Sequence, residues 1–254
     1  MKMSIITVTY NSASTLNDCI TSVRTQNYSD IEHIIIDGGS KDGTLSLLNS
    51  KSDGFANIIS EPDKGIYDAM NKGIKLATGE IIVFLNSDDF YINQKVISRV
   101  VREFERDPLL DACYADLIYV DQFDTSKIIR FMKSSKFKEG LFSKGWCPPH
   151  PTFFVRRSVF KKFGNFDLNF RFASDVDLMM RFLEKYKIKS QYISEVWVKM
   201  RMGGISNKNL KNIWLQNKEI IQSFNKNKIQ INLFKFLIFK IISRIVQFFK
   251  RPSQ

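Results

Sequence analysis

The feature that most constrains the fold is an alternation of short apolar segments and helix-period segments over the first 105 residues. Four segments have strand length and are rich in β-branched or aliphatic residues, and each is followed by apolar residues at helical spacing. The predicted strands are 4–9, 32–36, 57–60 and 81–85, and the predicted helices are 15–25, one after Gly43, 66–77 and 96–104. This alternation predicts an α/β fold with a mostly parallel sheet flanked by helices.

Polar side chains follow each of the four predicted strands. In parallel α/β sheets, ligands bind beyond the carboxyl ends of the strands. The residues at these ends are Thr9, Tyr10 and Asn11 after the first strand, Asp37, Gly38, Gly39 and Ser40 after the second, Asp63 and Lys64 after the third, and Asn86, Ser87, Asp88 and Asp89 after the fourth. We therefore expect four strand ends to converge on one polar cleft.

The fourth strand end carries two adjacent carboxylates, Asp88 and Asp89. Adjacent acids repel each other and resist desolvation unless a cation or strong donors satisfy them. Oxygen ligands of this kind suit Mg²⁺ or Mn²⁺, which keep several waters and share their shell with substrate phosphates. The alternative is that one of the two acids caps the helix that follows. The run by itself leaves a metal site and a helix cap equally open.

Six stretches together resemble one enzyme family. They are 5–11, 36–44, 63–73, 150–154, 163–167 and 173–178, and they occur in family order over about the first 205 residues. In this respect the chain resembles glycosyltransferase family 2, whose members have the GT-A fold. The resemblance implies metal-dependent transfer of a sugar from a nucleotide diphosphate sugar, with inversion at the anomeric carbon. It also implies Mn²⁺ or Mg²⁺ as the cofactor.

Within this resemblance, Asp175 aligns with the catalytic base of the family. Ser174 stands where the family has the first acid of a pair, and Asp175 retains the second. Asp175 begins a predicted helix that runs to Glu184, and the helix dipole there favours an ionised carboxylate. The alternative is that Ser174 or Asp175 caps this helix, a role compatible with that of a base.

The resemblance places donor recognition at the strand ends. The implied donor-binding residues are Thr9, Tyr10, Asn11, Asp37, Asp63, Lys64, Asn86, Ser87 and Asp88. Asp37 is the strongest of these candidates, because its carboxylate can accept from a pyrimidine or guanine N–H. Asp88 is implied as the first metal ligand and Asp89 as a second. Asn86 replaces the usual outer acid of the motif and contributes no charge.

His150 and Arg201 are assigned to an acceptor or phosphate loop. Prolines surround His150 in the segment 147–151 and restrict its backbone, which suits a site residue. The alternative is an ordinary surface-loop histidine. Arg201, together with Gly203 and Gly204, resembles a late loop that closes over the donor in family members.

The net charge of +12 calls for an anionic partner. The sequence contains no recognisable nucleic-acid module or zinc spacing, so we expect no nucleic acid. In the segment 231–249, an apolar helix face lies opposite a basic stripe, which is typical of a helix on an anionic membrane surface. Its charges make it too interrupted to span the bilayer. The alternative is a helix docked on the enzyme's own core or on a second subunit, although Lys250 and Arg251 favour the membrane.

These observations predict a GT-A-like domain over 1–205, with a donor half of about 1–115 and an acceptor half of about 116–205, and a helical tail over 206–254. Three widely spaced cysteines indicate reduced thiols, and the N-terminus shows no export signal. We expect a cytoplasmic enzyme, peripheral on the inner face of a bacterial membrane. Its acceptor would be a glycan or a polyprenyl-diphosphate-linked intermediate of surface polysaccharide synthesis.

Two other classes of protein remain open. A sugar-phosphate nucleotidylyltransferase shares the sheet type and the metal, but it needs a glycine-rich, arginine-containing loop where this chain has Tyr10, Asn11 and Ser12. A non-catalytic sugar-nucleotide binding or scaffold protein is favoured by the altered motif positions Gly38, Asn86 and Ser174.

Overall fold

The computed structural model describes residues 1–203 and 210–249. The strands are β1 (Met3–Thr9), β2 (Ile31–Asp37), β3 (Asn57–Ser60), β4 (Ile81–Phe84), β5 (Asp89–Tyr91), β6 (Ala112–Val120), β7 (Ile128–Met132), β8 (Phe154–Arg156) and β9 (Ser190–Arg201). The helices are α1 (Leu16–Arg24), α2 (Thr44–Ser50), α3 (Ile66–Leu76), α4 (Val96–Arg106), α5 (Arg157–Phe163), α6 (Ser174–Met180), α7 (Leu210–Lys226) and α8 (Leu233–Phe249). Gly204, Lys250, Arg251 and the predicted boundary between residues 205 and 206 lie outside the described residues.

The strands form one mixed sheet in the order β3-β2-β1-β4-β8-β6-β9-β5, with β7 paired to β6. The strands β3, β2, β1 and β4 are parallel, as the alternation in the sequence predicts. Beyond β4 the sheet is mixed, because β8 runs antiparallel to both β4 and β6, while β9 is parallel to β6. A short connection such as 121–127, between β6 and β7, can join only antiparallel strands. The predicted α/β class with a helical tail is confirmed.

The tail helices share the core of the domain. Ile220 and Phe224 of α7 and Phe236 of α8 are buried in the same apolar cluster as Met180. Buried polar contacts of Asp177 join α6 to α7. Asp177 is ion-paired with Arg181 at 3.0 Å. The Asp177 carboxylate also accepts hydrogen bonds at 2.7 and 2.9 Å from the α7 residues Ser223 and Asn227. Helix α7 is therefore packed into the same core as α6.

Helix α8 turns Phe236, Lys240 and Arg244 toward the protein and leaves most of its other apolar residues outward. Lys240 lies half-buried and donates to Asn217 of α7 at 2.7 Å, while Phe234, Ile241 and Phe249 are 75, 60 and 83% exposed. The amphipathic helix is thus present, but two of its cations, Lys240 and Arg244, pack on the enzyme, whereas Lys235 is exposed. Across the two described ranges, no helix is both long and apolar enough to cross a membrane.

A glycine permits this close packing. Gly145 has φ +71°, and a Cβ atom there would lie 2.9 Å from the Cβ of Lys240. A side chain at this position would push α8 away from the segment that precedes residue 150.

The histidine and cysteines expected to be structural lie inside the protein. His33 is buried in β2 beside Thr7, at 2.9 Å from its hydroxyl, and burial lowers the pKa of the imidazole to about 3. Cys19, Cys113 and Cys147 carry free thiols, and burial raises the pKa of each.

Candidate active site

The ends of the first four strands lie side by side, as the sequence predicts. Thr9 at the end of β1 pairs in register with Asp37 of β2, and Asp37 pairs with Ser60 of β3. On the other side of β1, Ile6 pairs with Phe84, the last residue of β4. The polar residues that follow these strands therefore share one edge of the sheet.

Asp37 organises the loop after β2. Its buried carboxylate accepts hydrogen bonds from Gly39 N at 3.1 Å, Ser40 N at 2.9 Å and Ser60 Oγ at 2.6 Å, and also from Ser40 Oγ. These contacts fix the turn that carries Gly38. The predicted contact of Asp37 with a nucleobase remains a prediction.

Hydrogen bonds join the loops after β1, β2 and β4. Asn11, in a left-handed conformation with φ +50°, donates from its backbone to Ser40 Oγ at 2.8 Å. Its side-chain oxygen accepts from Lys41 N at 2.9 Å, and Ser87 donates to Ser12 at 2.8 Å. Together these bonds hold the predicted donor loops in one arrangement.

Two groups remain available on the β1 side of this edge. Tyr10 is 61% exposed, and the buried Thr9 Oγ1 has no hydrogen-bond partner within the described residues. Both positions are compatible with contact to a donor, and that contact remains a prediction.

Asp63 and Lys64 lie at the third strand end, next to Gly38. A Cβ atom at Gly38 would approach Asp63 Oδ2 to 2.6 Å, so the glycine lets Asp63 come close. Asp63 Oδ1 accepts from Gly65 N at 2.8 Å. Lys64 is exposed, and its backbone N–H donates to Asp68 at 3.0 Å. Because Gly38 has no side chain, the Asp63 carboxylate lies against the loop that follows β2.

The two acids after β4 occupy different environments. Asp88 is partly exposed, and burial raises the pKa of its carboxyl, an effect that the nearby Arg201 guanidinium opposes. Asp89 is completely buried, and burial followed by the charge of Asp88 raises its pKa far above the usual range. Arg201, at the end of β9, donates to the Asp88 carbonyl at 3.0 Å and pairs with Asp18. Arg201 therefore holds the backbone at Asp88 and places a positive charge near the acidic run.

The chemistry of this run fits a divalent cation. Asn86 Oδ1 and Asp89 Oδ1 are buried oxygens without hydrogen-bond partners in the described part of the chain. Such orphaned oxygens are costly, and a hard cation would satisfy them. Among the described residues, no group of three or more His, Cys, Asp or Glu side chains is placed to hold a metal. A cation beside Asp88 would therefore need further ligands from water and substrate phosphates.

Asp175 of α6 is held by Tyr67, an aromatic residue of α3. The Tyr67 hydroxyl donates to Asp175 Oδ1 at 2.9 Å, and Tyr67 stacks on Phe166 with ring centroids 5.4 Å apart. Burial, and then the charge of Asp175, raise the pKa of Tyr67 well above its usual value, so that it stays a donor. This bond links α3 to α6 across the cleft.

His150 packs against Phe84, the last residue of β4, and against Phe166. Its ring stacks on Phe84 at 5.4 Å and meets the edge of Phe166 at 5.7 Å. Burial lowers the pKa of His150, although the charge of Asp175 opposes the shift, so the ring is neutral near pH 7. Its Nε2 is buried and lacks a hydrogen-bond partner within the residues described. A neutral imidazole with one unused nitrogen can contact a substrate hydroxyl or phosphate.

The start of α6 is capped from another helix. Ala173 occupies the N-cap position without a side-chain bond, and Ser174 Oγ donates instead to the Asp167 carbonyl at 2.9 Å. The Glu219 carboxylate of α7 accepts from the backbone N–H groups of residues 171–173 at 2.7–3.0 Å. Neither Ser174 nor Asp175 occupies the N-cap position, but Asp175 Oδ1 accepts from the Val176 N–H of the first turn at 2.9 Å, so Asp175 contributes to capping as well as bonding to Tyr67.

Sequence reasoning missed Tyr67 and Glu219. Tyr67 lies inside the recognised stretch 63–73, so the stretch itself was a usable signal. Glu219 carried no local signal, because it is 46 residues distant in sequence from Ala173, whose N–H it accepts.

Comparisons with known proteins agree with this geometry. The sequence profile described as "Glycosyl transferase family 2" matches residues 4–164. A "PGL/p-HBAD biosynthesis glycosyltransferase" of Mycobacterium bovis is 32% identical over 209 residues, which are 80% of this chain and 78% of that protein. Among solved structures, S. aureus TarS 1-349 superposes with a TM-score of 0.67 at 17% identity, covering 95% of this chain and 72% of that one. The mannosyltransferase PcManGT from Pyrobaculum calidifontis, in complex with GDP-Man and Mn²⁺, gives 0.66 at 19% identity, covering 95% and 69%.

Proposed function

The chain belongs to glycosyl transferase family 2, is a glycosyltransferase with a GT-A-type fold, and on that premise we propose that it uses a nucleotide diphosphate sugar as donor and inverts the anomeric carbon. The observation that carries the proposal is the pairing of two halves of a site. An acidic run with unpartnered oxygens follows β4, and the charge of Asp175, which is held by Tyr67, acts on His150, whose ring stacks on Phe84 at the end of the same strand. The family assignment favours sugar transfer over nucleotidylyl transfer and over a scaffold role.

Asp175 is the proposed general base. It takes the proton of the acceptor hydroxyl as the oxygen attacks the anomeric carbon, and the bond from that carbon to the diphosphate oxygen breaks with its electron pair. A single displacement of this kind needs one base and inverts the carbon. Tyr67 orients the Asp175 carboxylate, and His150 is placed to contact the substrate.

Asp88 is the proposed metal ligand, with Asp89 and Asn86 beside it. When bound there, Mn²⁺ or Mg²⁺ supplies positive charge that offsets the charge on the leaving diphosphate. Two structural neighbours support a nucleotide-sugar donor, since TarS has been solved with UDP-GlcNAc and PcManGT with GDP-Man and Mn²⁺. The joined loops after β1, β2 and β4, with the neighbouring loop after β3, are the proposed donor site.

A thermal-shift screen tests the donor class. We expect one of the UDP, GDP, CMP and dTDP sugars to raise the melting temperature in the presence of Mn²⁺, because a ligand that binds only the folded state stabilises it by about 2.7 kcal/mol at 100 times its Kd. For a domain of this size, that corresponds to a shift of roughly 5–10 °C. Excess EDTA should reverse most of the shift. If no donor shifts the protein with either metal, the nucleotide-sugar proposal is wrong.

We extend the proposal to the acceptor and its location. The exposed apolar face of α8 supports attachment to the inner face of the cell membrane, where a polyprenyl-diphosphate-linked glycan is the expected acceptor. Isolated soluble domains rarely expose contiguous apolar patches of this kind without a partner. The net charge of +12 adds attraction to an anionic surface.

Replacing the outward residues of α8 tests this attachment. The triple variant Phe234→Gln, Ile241→Gln, Phe249→Gln should bind anionic vesicles at least about tenfold more weakly in a flotation assay, since each buried apolar side chain contributes roughly 1.5–3 kcal/mol. The matched control is Phe123→Gln, which removes a side chain that is 90% exposed on a loop between β6 and β7. Equal flotation of both variants and the wild type would remove α8 as the anchor.

A further inference from the structure

A basic cavity lies between α8 and the acceptor half of the domain. It has a volume of about 180 Å³, well above the roughly 10–15 Å³ that one water molecule needs. Four cationic side chains line it, Arg130, Lys133, Lys240 and Arg244, and its lining within the described residues includes no Asp or Glu. A cavity with this lining is suited to an anion.

Buried donors in the wall of the basic cavity lack partners. Arg130 is only 7% exposed, and its Nε has no hydrogen-bond partner among the described residues. The indole Nε1 of Trp146 is likewise buried and unpartnered there. The guanidinium of Arg130 stacks over the Tyr119 ring at 3.8 Å, which fixes its plane. Unpartnered buried donors are costly, so these two atoms point to a missing acceptor.

Burial disfavours the charged forms of two cations in the basic cavity. Burial, and then the charge of Arg244, lower the pKa of Lys240 to about 8. Burial, and then the charge of Arg130, lower the pKa of Arg244. The folded protein therefore holds these cations at a cost, and a bound anion would offset it.

The position of the basic cavity indicates what kind of anion enters it. Val176 and Met180 of α6 form part of its wall, and Val176 directly follows Asp175. Lys240 and Arg244 lie on α8, whose other face is apolar and exposed. The cavity thus lies beside the proposed base at one end and beside the proposed membrane face at the other.

We propose that the basic cavity binds the phosphate group of a lipid-linked acceptor, so that the sugar end of the acceptor reaches Asp175 and its hydrocarbon chain follows α8 into the membrane. This inference rests on the proposed function and assigns a subsite to it. The donor's diphosphate belongs elsewhere, because none of the residues of the strand-end cleft lines the basic cavity. Arginine and lysine side chains around a phosphate form charge-assisted hydrogen bonds, the stronger class of hydrogen bond in proteins.

Vesicle binding by charge variants of α8 tests the subsite. The full chain is mixed with three kinds of vesicle: phosphatidylcholine alone, phosphatidylcholine with phosphatidylglycerol, and phosphatidylcholine with a few per cent of polyprenyl monophosphate. Polyprenyl phosphate should raise the affinity of the wild type above that for phosphatidylcholine alone. In Lys240→Gln this increase should be at least about tenfold smaller. Lys240→Arg should keep it. Lys235→Gln, an exposed lysine on the same helix outside the cavity, should behave as wild type.

The three vesicle types separate a phosphate subsite from general attraction to anionic lipid. If Lys240→Gln binds polyprenyl-phosphate vesicles as tightly as the wild type does, the proposal is wrong. It is also wrong if the variant loses affinity equally for phosphatidylglycerol vesicles, because the cavity would then recognise bulk lipid headgroups. Donor binding, monitored by the metal-dependent thermal shift, should be unchanged in every variant and reports that the domain is folded. A wild-type protein that shows no donor shift contradicts the proposed function, whereas absence of the Lys240 effect alone contradicts only the subsite.

Discussion

Replacing Asp175 with Asn is expected to reduce sugar transfer by about 10²–10⁴-fold, the range attributed to general base catalysis. The amide is nearly the same size as the carboxylate but cannot take the proton of the acceptor hydroxyl. Donor affinity should stay within about twofold, because the donor loops lie at the strand ends on the other side of the cleft. The measurement is kcat under saturating donor, together with the donor-induced thermal shift.

Two variants serve as controls for this result. Tyr67→Phe removes the hydroxyl that orients Asp175 while keeping the ring on Phe166, so kcat should fall by about tenfold with donor affinity unchanged. Asp177→Asn makes the same chemical change two residues along α6, where it weakens the buried contact with Arg181. We expect lower stability there, but near-normal kcat per folded molecule. Transfer by Asp175→Asn at the wild-type rate would remove Asp175 from the mechanism.

The parallel half of the sheet and its cleft follow directly from the sequence. Thr9, Asp37 and Asp88 each come after an apolar run of strand length, and parallel strands necessarily bring such ends to one edge. The information is local, so a pattern of strand and helix periods was enough to place these residues. The fold class was predictable for the same reason.

The contacts that complete the site depend on long-range packing. Tyr67 and Asp175 are 108 residues apart, and no periodicity links them. The order of β8, β6 and β9 depends on which edges are left unpaired after β4, which a local pattern does not encode.

The orientation of α8 shows the same limit. The amphipathic pattern over 231–249 was clear, but a helical wheel gives two opposite faces without saying which one meets the protein. Apolar residues usually turn inward, yet here Lys240 packs against the domain, because Gly145 leaves room for it and Asn217 accepts a hydrogen bond from its ammonium group. The two inward cations of α8, Lys240 and Arg244, are the basis for the proposed phosphate subsite.

Replacing Asp88 with Asn is expected to weaken Mn²⁺-dependent donor binding by at least about 100-fold, since even residues that only support a metal ligand typically account for 10–100-fold. The variant keeps the size of the side chain and one acceptor oxygen, and it loses the charge that a cation needs. Metal affinity of the wild type should also fall as the pH is lowered, because burial raises the pKa of Asp88 and protons then compete with the cation. Titration of Mn²⁺ with and without the donor nucleotide measures both effects.

Asp89→Asn is the matched comparison, because the two acids are adjacent but differently buried. Burial, and then the charge of Asp88, raise the pKa of Asp89 well above its usual value, which disfavours the ionised form, and an amide resembles the neutral form. If Asp88 is the main ligand, Asp89→Asn should reduce Mn²⁺ affinity much less than Asp88→Asn does. Equal losses would mean that both carboxylates bind the cation and that Asp89 ionises when the metal enters. Unaltered affinity in Asp88→Asn would show that the metal lies elsewhere in the cleft.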